Sequence, residues 1–239
     1  MSILTRKQRE WAERTQLIIR EADRLLAAGG YLGLNLDELA ATIEYSKATI
    51  YNHFKNKEDL VLAVAVDHFR RRAEYFARAL THDGPPRERM CAIGIADEVL
   101  AHHICNGFEV MQLARTKSLW EKTAEAQQLG WQEASAQCMG TCYEIMAQAR
   151  ACGDLAPDGP NDETIVMGLI SLSKGSHLLS EGLPLFEGMN DVTPESVRFR
   201  NYDFYLDGVG WKPLSPDHDY DAIRPAIRDA LFPDAEQPV

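Results

Sequence analysis

A chain of 239 residues, 45% of them hydrophobic, holds one large domain or two modest ones and enough apolar surface for a sizeable core. Its formal net charge of -11 is uneven: residues 1–58 carry nine Lys/Arg against eight Asp/Glu, the remainder sixteen against twenty-eight. An acidic body of that kind disfavours polyanion binding anywhere but the amino-terminal head, and no run approaches the roughly 20 apolar residues of a membrane span.

Helical periodicity dominates and no run alternates as a strand, so the expected fold class is all-α. A first helix is predicted from about Thr5 to Ala28, with Trp11, Ile18, Ala22 and Leu25 on one face and Gly29-Gly30 as its stop. A short second helix follows. Asn35 and Glu38 have capping-box spacing, Leu34 and Leu39 suit a hydrophobic staple, and Leu36, Leu39, Ala40 and Ile43 form its apolar face. After a tight turn Ser46 caps a third helix, anchored inward by Ile50 and Phe54. Asn56 caps a fourth that runs to about Leu80, with Glu58 and Asp59 in its first turn. Lys57 opposes the helix dipole there, a placement that a nearby phosphate rewards.

His82-Asp83-Gly84-Pro85-Pro86 is a break. Further helices are expected over 86–105, 107–114, 118–151, 162–180 and within 194–209. Loops lie at 152–161 and around Gly182, Pro184 and Gly188. In the Pro- and Asp-rich tail, Ile223, Ile227 and Leu231 fall four apart and suggest one short docked helix. The segment MSILTRKQREW carries charge too early for a secretory signal. Cys91, Cys105, Cys138, Cys142 and Cys152 show no zinc-like spacing. Both features predict a cytoplasmic protein with reduced thiols.

Two short helices joined by a tight turn read as helix-turn-helix, whose second helix enters the DNA major groove. Lys47, Ala48, Thr49, Asn52 and His53 supply the small and polar residues that base reading needs. Tyr51, Lys55 and Lys57 suit phosphates, as does Asn35, and Arg6, Lys7 and Arg9 near the chain start can reach adjacent backbone. The bland alternative is a set of solvated helix faces. The stretch LNLDELAATIEYSKATIYNHFKNKEDL, residues 34–60, decides between the two. From about Arg14 to Val64 the chain resembles the amino-terminal domain of the TetR (tetracycline-repressor-like) family. Ser46, Lys47, Thr49, Ile50, Tyr51, His53, Phe54, Lys57, Glu58 and Leu60 all fall on the family pattern. One departure stands out. The family's turn is usually Gly-Val and here it is Glu44-Tyr45, so a non-glycine residue is expected at positive φ, at a cost of about 1 kcal/mol. Glu44 also places a negative charge near the DNA face.

The resemblance implies three segments: a DNA-binding head over 1–58, a helical effector-binding and dimerisation domain over 59–212, and a tail over 213–239. It implies a homodimer on a palindromic operator, and a dimer seam built from the last two long helices. Periodicity agrees with such a seam. Ile165, Leu169, Leu172, Ser176 and Leu179 form one stripe and Val166, Ile170, Ser173 and His177 another, as in a helix covered on two sides. Val197, Phe204, Tyr205 and Val209 would complete the seam. An effector pocket is also implied. Its candidates are Asp97, His102, Phe108, Trp120, Gln127, Trp131, Cys138, Ser173 and His177. Trp120, Ala124, Gln127, Trp131, Ala134, Cys138, Thr141 and Ile145 form one inner stripe of the helix expected over 118–151. Asp97 shares an apolar face with Met90, Ile93, Leu100 and Ile104 and needs a partner: His177, an arginine or a ligand. Arg70-Arg71-Arg72 reads as a solvated run.

Glu98, His102 and His103 lack an evident third ligand, so no metal is expected, and no cofactor motif is present. No nucleophile, base and orienting group are arranged for catalysis, which argues against an enzyme. The sequence therefore points to a ligand-responsive repressor, released from DNA by a small, mostly apolar effector. A DNA-binding regulator without small-molecule input, or an activator, is the alternative.

Overall fold

A computed structural model describes residues 5–104, 107–180 and 193–233. The loop around Gly182, Pro184 and Gly188, and Cys105, lie outside the described residues. All regular structure among the described residues is helical: α1 (Arg6–Gly33), α2 (Leu36–Thr42), α3 (Lys47–His53), α4 (Lys57–Ala79), α5 (Pro86–His103), α6 (Gly107–Ala114), α7 (Lys117–Trp120), α8 (Glu125–Cys152), α9 (Asp162–Ser180), α10 (Pro194–Gly208) and α11 (Tyr220–Leu231). The chain divides into two compact units, one of Met1–Arg71 with Ile104–Gln137, the other of Arg72–His103 with Cys138–Val239.

In the first unit the core forms where the periodicity places it, except that Trp11 of the expected α1 face is 46% exposed. Ile18, Ala22 and Leu25 of α1, Leu36, Leu39 and Ala40 of α2, and Ile50 and Phe54 at α3 are all buried together with Leu60–Ala65 of α4. Thr5 closes a capping box with Gln8, so α1 begins as soon as the described chain does. Gly30 breaks its helical path at φ 60°, a conformation glycine adopts without steric cost. Across the unit, the buried His68 ring of α4 meets the Asp23 carboxylate of α1 at 2.9 Å.

The helix expected over 118–151 is interrupted. Residues 121–124 separate α7 from α8, so Trp120 sits on a different helix from Gln127 and Trp131. The cause is tertiary. The buried Asp59 carboxylate accepts the Ala124 amide at 2.8 Å through one oxygen and the Lys55 amide at 3.0 Å through the other. Asn56 caps α4 by accepting the Asp59 amide at 2.8 Å, and its side-chain amide donates to the Lys122 carbonyl at 2.9 Å. Lys122 in turn pairs with Glu58 at 2.7 Å. The start of α4 and the α7–α8 connection are thereby one hydrogen-bonded knot.

In the second unit α10 packs along α9, with Tyr205 seated on Gly168, where any Cβ would collide with its ring. The Tyr205 hydroxyl donates to the carbonyls of Thr164 and Ile165. The expected tail helix is α11, and it packs on α5. Arg87, on the first turn of α5, fastens the chain ahead of it: it pairs with Asp207 at 2.6 Å and donates to the carbonyls of Trp211 and Pro213. Arg150 shapes the 152–161 loop by donating to Asp162 and to the carbonyls of Ala156 and Pro160.

Candidate nucleic-acid interface

The helix-turn-helix is assembled by local rules. The Asn35 side chain accepts the amide of Asp37 at 2.9 Å and that of Glu38 at 3.5 Å, which starts α2. The turn then passes through Glu44 at φ 57°, the non-glycine left-handed residue expected from the Glu44-Tyr45 departure. Ser46 restarts the helix by accepting the Thr49 amide at 3.1 Å. Ile50 and Phe54 point into the core and fix the rotation of α3 about its axis. That rotation leaves Lys47, Ala48, Tyr51, Asn52 and Lys55 exposed on one continuous surface, with Thr49 half-buried at its edge.

Neighbouring charges and hydroxyls preset several of these groups. Lys47 reaches Asp37 of α2 at 2.8 Å, and that hydrogen bond raises its pKa. The Thr49 and Ser46 hydroxyls lie 2.9 Å apart. Lys57, partly covered, holds its ammonium 4.3 Å from the centre of the Tyr31 ring, and burial lowers its pKa. His53 turns towards α1 instead of the open surface. Its ring stacks on Trp11 at 3.8 Å and its Nδ1 lies 2.8 Å from the Thr15 hydroxyl. Burial first, then the charge of Arg14, lower its pKa, so the ring is neutral near pH 7. Arg14 lies over Tyr45, 5.2 Å from the ring centre. The first turns of α1 thus brace both the turn and the end of α3. Two residues essential to that bracing, Trp11 and Arg14, were not legible as such, because their partners lie about three dozen positions away in sequence. Of the basic residues near the chain start, Arg6 pairs with Glu10 at 2.7 Å.

A polar, open face on a helix locked from beneath is what groove reading requires. Residues 18–64 match the family described as bacterial regulatory proteins, tetR family. That segment is similar to the amino-terminal domain of tetR-family regulatory proteins. Over 196 residues the chain is 29% identical to the HTH-type transcriptional repressor AcnR of Corynebacterium diphtheriae, covering 79% of this chain and 94% of that protein. Among solved structures, a bacterial regulatory protein in the tetR family from Rhodococcus RHA1 superposes with a TM-score of 0.60 at 18% identity, covering 82% of this chain and 97% of the other. AibR, solved in complex with isovaleryl coenzyme A and operator DNA, does so with a TM-score of 0.56 at 19% identity, covering 80% and 97%. These structural likenesses establish the fold. Among the described residues no helix is long and apolar enough to cross a membrane.

The effector candidates separate into two groups. Phe108, Trp120, Gln127 and Trp131 belong to the first unit. There Trp131 meets Trp120 edge-on at 6.2 Å and Phe69 edge-on at 4.5 Å. Asp97, Cys138, Ser173 and His177 belong to the second, while His102 is exposed on α5. Asp97 is buried and found its partners: Arg72, the Ser173 hydroxyl, and the His177 ring at 3.5 Å. Burial opposes its ionisation, yet Arg72, His177 and Ser173 outweigh that and hold its carboxyl far below the usual range. Arg72 is therefore not part of a solvated run. It leaves the surface to neutralise Asp97, and Arg71 pairs with Asp67 at 3.0 Å. Burial raises the Cys138 and Cys142 thiols to about 11 and about 12, which makes both unreactive. Among the described residues Cys91 and Cys152 form no disulfide either.

The residues expected at a dimer seam fall on α9 and α10. Leu179 and Phe204 are exposed, as are Met167 and Leu178 beside them. Leu169, Leu172, Val197 and Tyr205 are half-buried and Ser176 is buried.

Proposed function

We propose that this chain is a TetR-family, ligand-responsive repressor that binds a palindromic operator as a homodimer. Residues 1–58 act as the reading head, 59–212 as the effector-binding and dimerisation body, and 213–239 as a docked tail. The observation that carries the reading is the open face of α3, where Lys47, Ala48, Tyr51, Asn52 and Lys55 stand exposed above a rigid base. Lys47 and Asn52 suit guanine and adenine edges, Thr49 suits a thymine methyl, and Asn35, Ser46, Tyr51, Lys55 and Lys57 suit flanking phosphates. His53 serves as the strut that fixes the end of the reading helix.

A repressing role follows the similarity to AcnR. A dimer is supported by the apolar residues Met167, Leu178, Leu179 and Phe204 left uncovered on α9 and α10. Two α3 helices about 34–36 Å apart would meet successive major-groove faces. For the effector, the group around Asp97, Ser173, His177 and Cys138 is the favoured site. Ligand would release DNA only by the difference in its affinity for the DNA-competent and DNA-incompetent states.

Salt titrations separate the assigned roles. Lys57→Ala should weaken binding to every duplex alike and reduce the slope of log affinity against log salt by roughly 0.9, one phosphate. Lys47→Ala should instead change which base is preferred at a defined position of the site. Uniform loss across a site library in the Lys47 variant, or an unchanged slope in the Lys57 variant, removes the respective residue from its role.

A further inference from the structure

Asp37 of α2 and Lys47 of α3 meet across the turn, Nζ to Oδ2 at 2.8 Å. Arg6–Glu10, Arg24–Glu21 and Lys117–Glu121 are exposed pairs of neighbours on one helix. Asp37–Lys47 instead links two helices, ten residues apart. The backbone beneath it is fixed. The Asn35 side chain holds the Asp37 amide at 2.9 Å, and the buried Ile50 anchors α3. Both side chains stay open to solvent, Lys47 at 45% and Asp37 at 69%, so the pair adds little to stability.

A carboxylate at the rim of a surface that meets DNA is unfavourable when it faces only phosphates. Helix formation does not call for this one, because Glu38 beside it already gives α2 an anion in its first turn. The geometry of the pair does give it a role. An ammonium has three N–H donors. One goes to Asp37 Oδ2, which leaves two, and Asp37 Oδ1 accepts no hydrogen bond among the described residues. The pair therefore presents two donors with an acceptor at their side, and its net charge is zero. In the major groove a G·C pair shows the guanine acceptors N7 and O6 and then the cytosine N4 amino group as donor. An A·T pair shows an acceptor, a donor and an acceptor, so one Lys47 donor would face the adenine amino group.

We propose that Asp37 and Lys47 form a composite reader of one G·C pair in each half-site. Lys47 donates to guanine N7 and O6, and Asp37 both directs the ammonium and accepts from cytosine N4. A neutral pair displaces no counterions from the backbone, so it contributes to base choice and not to general affinity. The inference rests on the reading of α3 as the groove-facing helix. It adds to that reading a specificity residue carried by α2.

The test takes full-length wild type, Asp37→Ala, Lys47→Met and the double variant through selection from a randomised duplex library. Salt titrations follow on the selected duplex and on one of random sequence. Wild type should favour G·C over A·T roughly tenfold at one position of each half-site. Asp37→Ala should lose that preference. Its log affinity for the random duplex should also fall more steeply with log salt, by about 0.9, because Lys47 is then free to meet a phosphate. Lys47→Met should lose preference at the same position, and adding Asp37→Ala to it should change nothing further there. Asp37→Ser serves in place of the alanine variant if that does not fold. A purely structural Asp37 would lower Tm and weaken every duplex alike, with base preference and salt slope intact; that result overturns the inference. It also fails if the two single variants lose preference at different positions, if the slope of Asp37→Ala is unchanged, or if wild type prefers A·T there. An identical motif from wild type and Asp37→Ala would sink the composite reader and leave base reading by α3 standing. A wild type that enriches no sequence would overturn base reading itself, and the composite reader with it.

Discussion

Glu44 shows how one backbone angle records a sequence departure. Its φ of 57° is a conformation in which an L side chain crowds the following carbonyl, while glycine does not. The turn persists because Ile43 and Ile50 on either side are buried and the Tyr45 amide is held by the Ala40 carbonyl at 3.0 Å. Glu44→Gly should therefore stabilise the protein by about 0.5 kcal/mol, the strain of about 1 kcal/mol less the added freedom of the unfolded chain. That is a rise in Tm of about 1–2 °C for a protein of this size. A fall in Tm would mean that the Glu44 side chain makes a contact worth more than the strain. The strain was legible in the sequence because it depends on one residue type in a fixed local pattern. The posture of His53 was not, because it depends on Trp11 and Thr15. A histidine on an otherwise exposed helix reads the same from sequence whether it faces DNA or packs on a neighbouring helix.

At the level of elements, boundaries set by local caps were readable and a boundary set by a distant residue was not. Asn35, Ser46 and Asn56 each start a helix with their own side chain, and all three helices begin where those residues predict. The interruption between α7 and α8 is different. Periodicity runs straight through residues 121–124, and nothing local marks the stop. The stop is imposed by Asp59, 65 positions earlier, which takes the Ala124 amide out of a continuous helix. Asp59→Ala leaves two part-buried amides, of Lys55 and Ala124, without their acceptor. It should cost about 2 kcal/mol, near 1 for each lost cap. Asp59→Asn, which keeps one acceptor oxygen, should cost less. Urea denaturation followed by helical circular dichroism reads both. Equal stability of the alanine variant and wild type would show that the knot between α4 and α8 contributes nothing. The same reasoning covers Asp97. Its need for a partner was evident from its apolar stripe, but Arg72 as the partner required knowing which face of α4 turns inward.

For the molecule as a whole, charge asymmetry and the residue 34–60 pattern carried most of the functional reading, because both are written locally. Assembly and effector were far less legible. A stripe of leucines on α9 looks alike whether its cover is α10 or a second chain, and Tyr205 is held by α9 of its own chain. Phe204, exposed on α10, is the place to test the proposed dimer. Phe204→Glu should convert a dimer to monomers at micromolar concentration, as seen by sedimentation, while helical content is unchanged. It should also weaken operator binding, since each head then binds alone. A wild-type protein that already sediments as a single chain would refute the seam.

The central claim is that the exposed face of α3 reads DNA sequence. The most direct measurement is selection of bound duplexes from a randomised library, with wild-type protein and with Asn52→Ala. The account predicts that wild type enriches an inverted repeat whose half-site centres lie about one helical turn apart, roughly 10 base pairs. It predicts that the variant loses preference at one position in each half-site, at a cost of about 1–3 kcal/mol there. Binding that shows no enriched sequence, or an identical motif from both proteins, would contradict it.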